Sequence, residues 1–111
     1  MSLLSAIEAS LRIDYLNRVY RREKDDLSKI FRKIHKNKAN KASLEEDILS
    51  SWKKYHPSFQ SIFSDLLGAL KYRHWLAHGR YWGPKLGRQY DFYSIYIIAI
   101  RFYQNIPLIT G

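Results

Sequence analysis

The run Arg73-His74-Trp75-Leu76-Ala77-His78-Gly79 combines two groups that can act on a phosphodiester. An arginine side chain is always charged and can bind a phosphate through two parallel hydrogen bonds. A histidine side chain exchanges a proton near neutral pH and can act as a general acid or base. RNA carries its own nucleophile, the 2′-OH. Arg73 and His78 together therefore provide what RNA cleavage without a metal ion requires.

The spacing of Arg73 and His78 does not by itself bring the two side chains together. Five residues of a regular helix turn through roughly 500°, so the two side chains diverge by roughly 140°. His78 precedes Gly79, and glycine is the usual residue at the left-handed position that ends a helix. A tightened or unwound last turn would let both side chains point into one cleft. A two-fold dimer would instead bring two such pairs into one basic groove.

Length and composition predict one domain over residues 1–111, because 46% of the residues are apolar and can form a core. The most apolar stretch, residues 92–100, is far shorter than the roughly 20 residues that cross a bilayer, so no membrane partner is expected. The N-terminus lacks the features of a secretory signal. There are no cysteines, which excludes a disulfide framework and a thiolate metal site. These features favour a cytoplasmic protein.

The net charge of +9 favours polyanionic partners, with nucleic acid first and an anionic membrane second. Two groups of residues are candidates for RNA binding. The first group follows the motif and combines cations with aromatic rings that can stack on bases. Trp82 fits equally well as a core residue. The residues of this first group are Arg80, Tyr81, Trp82, Lys85 and Arg88. The second group either tracks a phosphate backbone or is a solvated helix face; it comprises Arg18, Arg21, Arg22, Arg32, Lys33, Lys36, Lys38 and Lys41.

Apolar residues recur at helical spacing through most of the chain, which predicts an all-α fold. Residues 2–34 show this pattern except for a charged stretch at 21–25. That stretch is either a solvated part of one long helix or a hinge between two helices, and we expect one long or kinked helix. Residues 36–41 lack the pattern and predict a loop. Ser43 is expected to begin the next helix by accepting from the Glu46 N–H, with the Glu46 side chain reaching back to Ser43.

Two further helices are predicted in the second half of the chain. Pro57 suits the first turn of a helix that continues through Arg73 and stops at Gly79. Residues 79–89 contain three glycines and a proline and predict a loop. The last element, at about residues 90–104, is apolar nearly all round, which predicts a buried helix capped by Asp91.

Arg73 to His78 matches the R-x4-H signature of HEPN domains, which occur in prokaryotic toxins, antiviral systems and some eukaryotic ribonucleases. The polar His74 directly after the arginine, the Ala77-His78-Gly79 ending and the position near the end of a late helix add to the resemblance. The resemblance in overall architecture covers most of the chain, whereas the resemblance in sequence motif is limited to this short stretch. It implies a small HEPN-like bundle of four to five helices, usually a homodimer with the active site at the interface.

The resemblance implies a metal-independent endoribonuclease without a cofactor. His78 would be the general acid or base, Arg73 would hold the scissile phosphate, and His74 would support Arg73. The products would be a 2′,3′-cyclic phosphate and a 5′-OH. Toxin members imply an antitoxin partner as well. One subgroup has a tyrosine two residues after the histidine, where this chain has Arg80 followed by Tyr81, so control through modification of that tyrosine is not expected.

Three other interpretations stay open. Some members of the family bind RNA or nucleotides without catalysis. His74 and His78, four residues apart, are spaced like two metal ligands on one helix face, but no carboxylate lies between Asp65 and Asp91, and no metal site is expected. A helical scaffold or DNA-binding protein would not distinguish RNA from DNA and would tolerate Arg73→Ala.

Overall fold

The computed structural model describes residues 2–77 and 91–109, and these two ranges contain five α-helices and no β-strand. This confirms the predicted all-α bundle. The helices are α1 (Leu3–Arg21), α2 (Asp26–Lys38), α3 (Ser50–Tyr55), α4 (Gln60–Ala77) and α5 (Phe92–Asn105). A π-helical segment, Leu44–Leu49, runs directly into α3. Short 3₁₀ turns lie at Ala39–Lys41 and Pro57–Phe59.

The charged stretch at 21–25 separates two helices, so the prediction of one long or kinked helix is wrong. Arg22 takes a left-handed φ of 54°, and its N–H donates to the Val19 carbonyl, which ends α1. Asp25 then caps α2 by accepting from the Ser28 N–H at 3.1 Å. Because each helix end has its own cap, the chain turns back and lays α2 against α1.

The predicted loop at 36–41 is mostly helical, which corrects a second expectation. Helix α2 continues to Lys38 and is followed by the 3₁₀ turn Ala39–Lys41. The buried Tyr15 of α1 donates its hydroxyl hydrogen to the Ala39 carbonyl at 3.2 Å. This contact comes from a distant part of the sequence, which is why the local composition did not indicate it.

Ser43 begins the next helical segment as predicted, and its hydroxyl accepts from the Glu46 N–H at 3.1 Å. The reciprocal contact differs from the prediction, because Asp47 rather than Glu46 accepts from the Ser43 N–H, at 2.8 Å. The segment is a π-helix, in which the Ile48 N–H donates to the Ser43 carbonyl five residues back. In this π-helical turn the Asp47 carboxylate lies within hydrogen-bond distance of the Ser43 N–H.

Every α-helix contributes to one hydrophobic core. Its largest fully buried side chains are aromatic: Tyr15, Phe31, Trp52, Phe63 and Phe102. None of the helices in residues 2–77 and 91–109 has the length and apolar character needed to cross a bilayer.

Helix α5 begins at the predicted Asp91 cap, where the carboxylate accepts from the Ser94 N–H at 2.8 Å. The prediction that this helix is buried is wrong for one of its faces. Ile98, Ala99 and Phe102 are buried. Five large residues are exposed, because among the described elements α5 packs mainly against α1 and α4. These are Phe92, Tyr93, Tyr96, Ile97 and Tyr103.

Helices α4 and α5 run in opposite directions. Arg101, near the end of α5, donates to Asp65 at 2.7 Å and to Ser61 at 3.2 Å, both near the start of α4. The first turns of α5 therefore lie toward the end of the bundle where α4 carries Arg73.

Candidate functional site

Arg73 lies in the C-terminal half of α4 and faces α1. Its Nη2 donates to Glu8 Oε1 at 3.2 Å, and its Nη1 donates to Ser5 Oγ at 3.4 Å. The arginine side chain is 40% exposed. A guanidinium has five N–H donors, and the other three have no partner among the described residues. Arg73 is thus held in place while it can still bind an anion.

Glu8 lies between two guanidinium groups. Its second carboxylate oxygen is 3.7 Å from Nε of Arg12, one turn further along α1. Arg12 is itself fixed by donating from Nη1 to the Ala42 carbonyl at 3.1 Å. Sequence reasoning missed both residues. Their i,i+4 spacing on α1 was visible, but nothing local indicated that α1 brings them to Arg73.

Arg73 and Glu8 line an open cleft of about 370 Å³ between α1, α4 and the start of the π-helical segment. This volume is within the roughly 300–1,000 Å³ typical of small-ligand sites. Leu44 and Leu70 supply its apolar surface. The polar lining consists of Glu8, Ser43, Glu45, Arg73 and His74.

The structure brings two of the three predicted catalytic residues together. His74 is exposed and lines the same cleft as Arg73. His78 lies outside the described residues, so its role as the proton-transfer group stays a prediction. The predicted RNA-binding residues Arg80, Tyr81, Trp82, Lys85 and Arg88 also lie outside them.

Across the two described ranges, no three potential metal ligands of the His, Asp, Glu or Cys type are grouped together. The pairing of His74 with His78 as metal ligands involves a residue beyond those ranges.

Arg18 does not belong to a phosphate-binding surface, which corrects its inclusion in the basic run. It is 6% exposed, and its Nε donates to both oxygens of the buried Asp14, at 2.9 and 3.1 Å. Its Nη2 donates to the Pro107 carbonyl at 2.9 Å. Burial raises the pKa of Asp14, although the Ile109 N–H and Arg18 act in the opposite direction. Arg18 therefore joins α1 to the C-terminal segment.

Two further members of the basic run are also engaged in intramolecular contacts. Arg32 donates from Nη1 to the Glu23 carbonyl at 2.6 Å. Lys38 forms an ion pair with Asp47 at 3.1 Å. The remaining members of the run are exposed on the surface: Arg21, Arg22, Lys33, Lys36 and Lys41.

No protein-family model, no curated protein and no solved structure matches this chain. The fold and the cleft define a class, namely a small all-α bundle with an arginine-lined cleft at one end. Any function must therefore be argued from the residues themselves and from the R-x4-H motif.

Proposed function

We propose that this protein is a HEPN-like, metal-independent endoribonuclease of the toxin or defence-effector type. The observation that carries the proposal is the position of Arg73, which is anchored by Glu8 on the wall of an open cleft and has three donors without a partner among residues 2–77 and 91–109. His74 lines the same cleft. The sequence places His78 five residues beyond Arg73, as the R-x4-H motif requires.

In the proposed reaction the 2′-oxygen attacks the adjacent phosphorus and the bond to the 5′-oxygen breaks. The proton of the 2′-OH passes to a base, and a proton is delivered to the departing 5′-oxygen. His78 serves in one of these transfers, which typically contributes roughly 10²–10⁴-fold in rate. The products are a 2′,3′-cyclic phosphate and a 5′-OH.

Arg73 would bind the scissile phosphate and stabilise the charge that builds up on its oxygens in the transition state. Its anchoring by Glu8 and Ser5 supports this role, because a side chain that is already ordered loses less entropy when it binds. Arg12, on the other side of Glu8, adds positive charge near the cleft. His74 would orient Arg73 or supply a further hydrogen bond.

The proposed partners are RNA, a second copy of the chain and, for a toxin, an antitoxin, and the proposed location is the cytoplasm. The exposed face of α5 supports self-association, because residues 92–100 contain no charged side chain. Copies that each carry +9 repel one another least through an uncharged face. Tyrosine and phenylalanine are also enriched in protein interfaces. This face begins at the Arg73 end, so a dimer formed there would place two clefts near the seam.

The alternative is a HEPN-like module that binds RNA or nucleotides without cleaving them. The anchored Arg73 and the cleft of about 370 Å³ would serve such a module equally well, because neither depends on His78.

The decisive experiment incubates the purified protein with mixed RNA in a chelator and analyses the ends of the products. We expect 2′,3′-cyclic phosphate ends, and loss of cleavage in folded Arg73→Ala and His78→Ala variants. His35→Ala is the matched control, since His35 packs against Tyr15 and Tyr20, away from the residues that line the cleft. A salt-sensitive mobility shift without cleavage would select the binding module. Undiminished cleavage by folded His78→Ala would contradict the assignment.

A further inference from the structure

A second groove lies between α2 and α3, and it shares no lining residue with the Arg73 cleft. It has a volume of about 230 Å³ and is lined by Asp26, Lys29, Ile30, Lys33 and Tyr55. An adjoining hollow of about 270 Å³ shares Ile30 and Tyr55 and adds Ile34 and Lys54. We call the two together the α2–α3 groove.

Lys29 and Lys33 form the basic wall of this groove. Both are exposed, and neither side chain has an ion-pair or hydrogen-bond partner in the described part of the chain. They are four residues apart on one helix face, where their Cβ atoms are about 6 Å apart. Two like charges at this spacing destabilise a helix slightly. The pair therefore contributes nothing visible to the fold and remains available to bind an anion.

Tyr55 forms the opposite wall. Its ring is half-buried and packs against the core, which fixes its orientation. The Lys54 ammonium lies 5.4 Å from the ring centroid. A fixed ring opposite the two ammonium groups of Lys29 and Lys33 matches the way proteins bind single-stranded nucleic acid, through bases stacked on aromatic rings and cations on the backbone.

Acidic residues limit the length of this basic surface. Asp26 lies at one end of the groove, and Glu46 and Asp47 line the adjoining hollow. Asp47 is already paired with Lys38. The cationic stretch thus suits a few nucleotides rather than a long duplex.

We propose that the α2–α3 groove is a second binding site for single-stranded RNA, separate from the cleft. Lys29 and Lys33 bind neighbouring phosphates, and Tyr55 stacks on a base between them. The proposal rests on RNA as the substrate of the proposed function, but it requires neither Arg73 nor His78. It gives the exposed lysines of α2 a role that Arg18, Arg32 and Lys38 do not share.

The test measures the affinity of the protein for a fluorescent 2′-O-methyl uridine oligomer of roughly 12 nucleotides, a length within known single-strand site sizes. This probe lacks the 2′-OH nucleophile, so binding is measured without cleavage. We expect Lys29→Glu/Lys33→Glu to weaken binding at least about tenfold and to lower the salt-dependence slope by roughly 1.4, as two lost phosphate contacts predict. Tyr55→Leu should weaken binding about fivefold or more, whereas Tyr55→Phe should retain it.

The matched control is Lys24→Glu/Lys71→Glu, which changes the charge equally at two exposed positions outside the groove. At 150 mM salt we expect it to weaken binding less than about threefold, because screening limits distant charges. Circular dichroism and thermal unfolding verify that each variant is folded. Equal losses in both lysine pairs would overturn the proposal, as would unchanged affinity in Lys29→Glu/Lys33→Glu. Stronger competition by polyglutamate than by unlabelled RNA would also overturn it and would identify an acidic protein as the partner.

Failure of this proposal and failure of the nuclease proposal give different results. If the wild-type protein does not cleave RNA but its binding depends on Lys29 and Lys33, the nuclease assignment fails and the second site stands. If the protein cleaves RNA and its binding is indifferent to those lysines, the second site fails and the nuclease stands. Arg73→Ala should abolish cleavage, and adding Lys29→Glu/Lys33→Glu to Arg73→Ala should still weaken binding of the probe at least about tenfold, because the groove and the cleft share no lining residue.

Discussion

Arg73 of α4 and Glu8 of α1 are 65 residues apart in sequence, yet Arg73 Nη2 lies 3.2 Å from Glu8 Oε1. The two side chains are 40% and 33% exposed, so the pair is accessible from the cleft. An ion pair of this exposure adds at most about 1 kcal/mol to stability. Its main effect is to hold the guanidinium in one orientation, and this makes Glu8 a positioning residue for Arg73.

Glu8→Ala should therefore lower kcat for RNA cleavage while leaving KM within a few-fold of wild type. Glu8→Gln should keep more of the activity, because its amide oxygen can still accept from Arg73. Single-turnover rates and KM values at several RNA concentrations distinguish the two variants. Glu23→Ala is the control, since its side chain does not line the cleft. Wild-type kcat in folded Glu8→Ala would disprove the positioning role.

Arg18→Ala should lower the free energy of unfolding far more than a typical surface substitution does. It removes the cation from Asp14, which is 0% exposed, and from the Pro107 carbonyl. Breaking one partner of a buried pair typically costs about 3–5 kcal/mol. Urea unfolding measures the loss, with the exposed Arg22→Ala as the control, expected to change stability by about 0.5 kcal/mol or less. Equal midpoints for the two variants would show that the buried network contributes little.

Acid should destabilise the protein through Asp25 and Asp47. Partial burial opposes their charged forms, but donors from Ser28 and Arg18 lower the pKa of Asp25, and donors from Ser43 and Lys38 lower the pKa of Asp47. A carboxyl whose pKa is lower in the folded state stabilises the fold above about pH 4, and this stabilisation is lost as the pH falls further. Burial raises the pKa of Asp14, so its contribution has the opposite sign.

Urea midpoints between pH 6 and pH 2 measure this dependence. Asp25→Asn/Asp47→Asn should flatten the acid-induced loss, because an asparagine amide oxygen can still accept from the Ser28 and Ser43 N–H groups but does not titrate. A curve in the double variant that parallels wild type would show that other groups govern the acid response.

Tyr93→Glu should convert the proposed dimer to a monomer. Tyr93 is 70% exposed on the uncharged face of α5. Two introduced carboxylates facing one another across a two-fold seam would repel and would lose their hydration. Light scattering coupled to size exclusion measures the mass. Tyr20→Glu is the matched control and should leave the dimer intact, because Tyr20 is equally exposed, at 69%, but lies at the end of α1. A monomeric wild-type protein, or a Tyr93→Glu variant that remains dimeric, would exclude this face as the seam.

The sequence by itself determined the all-α class and the local helix starts. Ser43 and Asp91 cap their helices as predicted, because each cap involves a hydrogen bond to an N–H only three residues away. The R-x4-H motif and the net charge were equally visible without a structure.

Only the tertiary structure decided which charges are buried, which are paired and which remain free. Arg18 and Lys33 are both basic residues of the same run in the sequence. In the structure Arg18 is buried and paired with Asp14, whereas Lys33 is exposed on the surface. Glu8 was not a candidate until α1 packed against α4. The sequence shows that α5 is rich in apolar and aromatic residues, but it does not show which of them are covered. The packing of the neighbouring helices leaves one face of α5 exposed. Local bonds depend on adjacent residues, whereas burial and pairing depend on segments that are distant in sequence and meet only after folding.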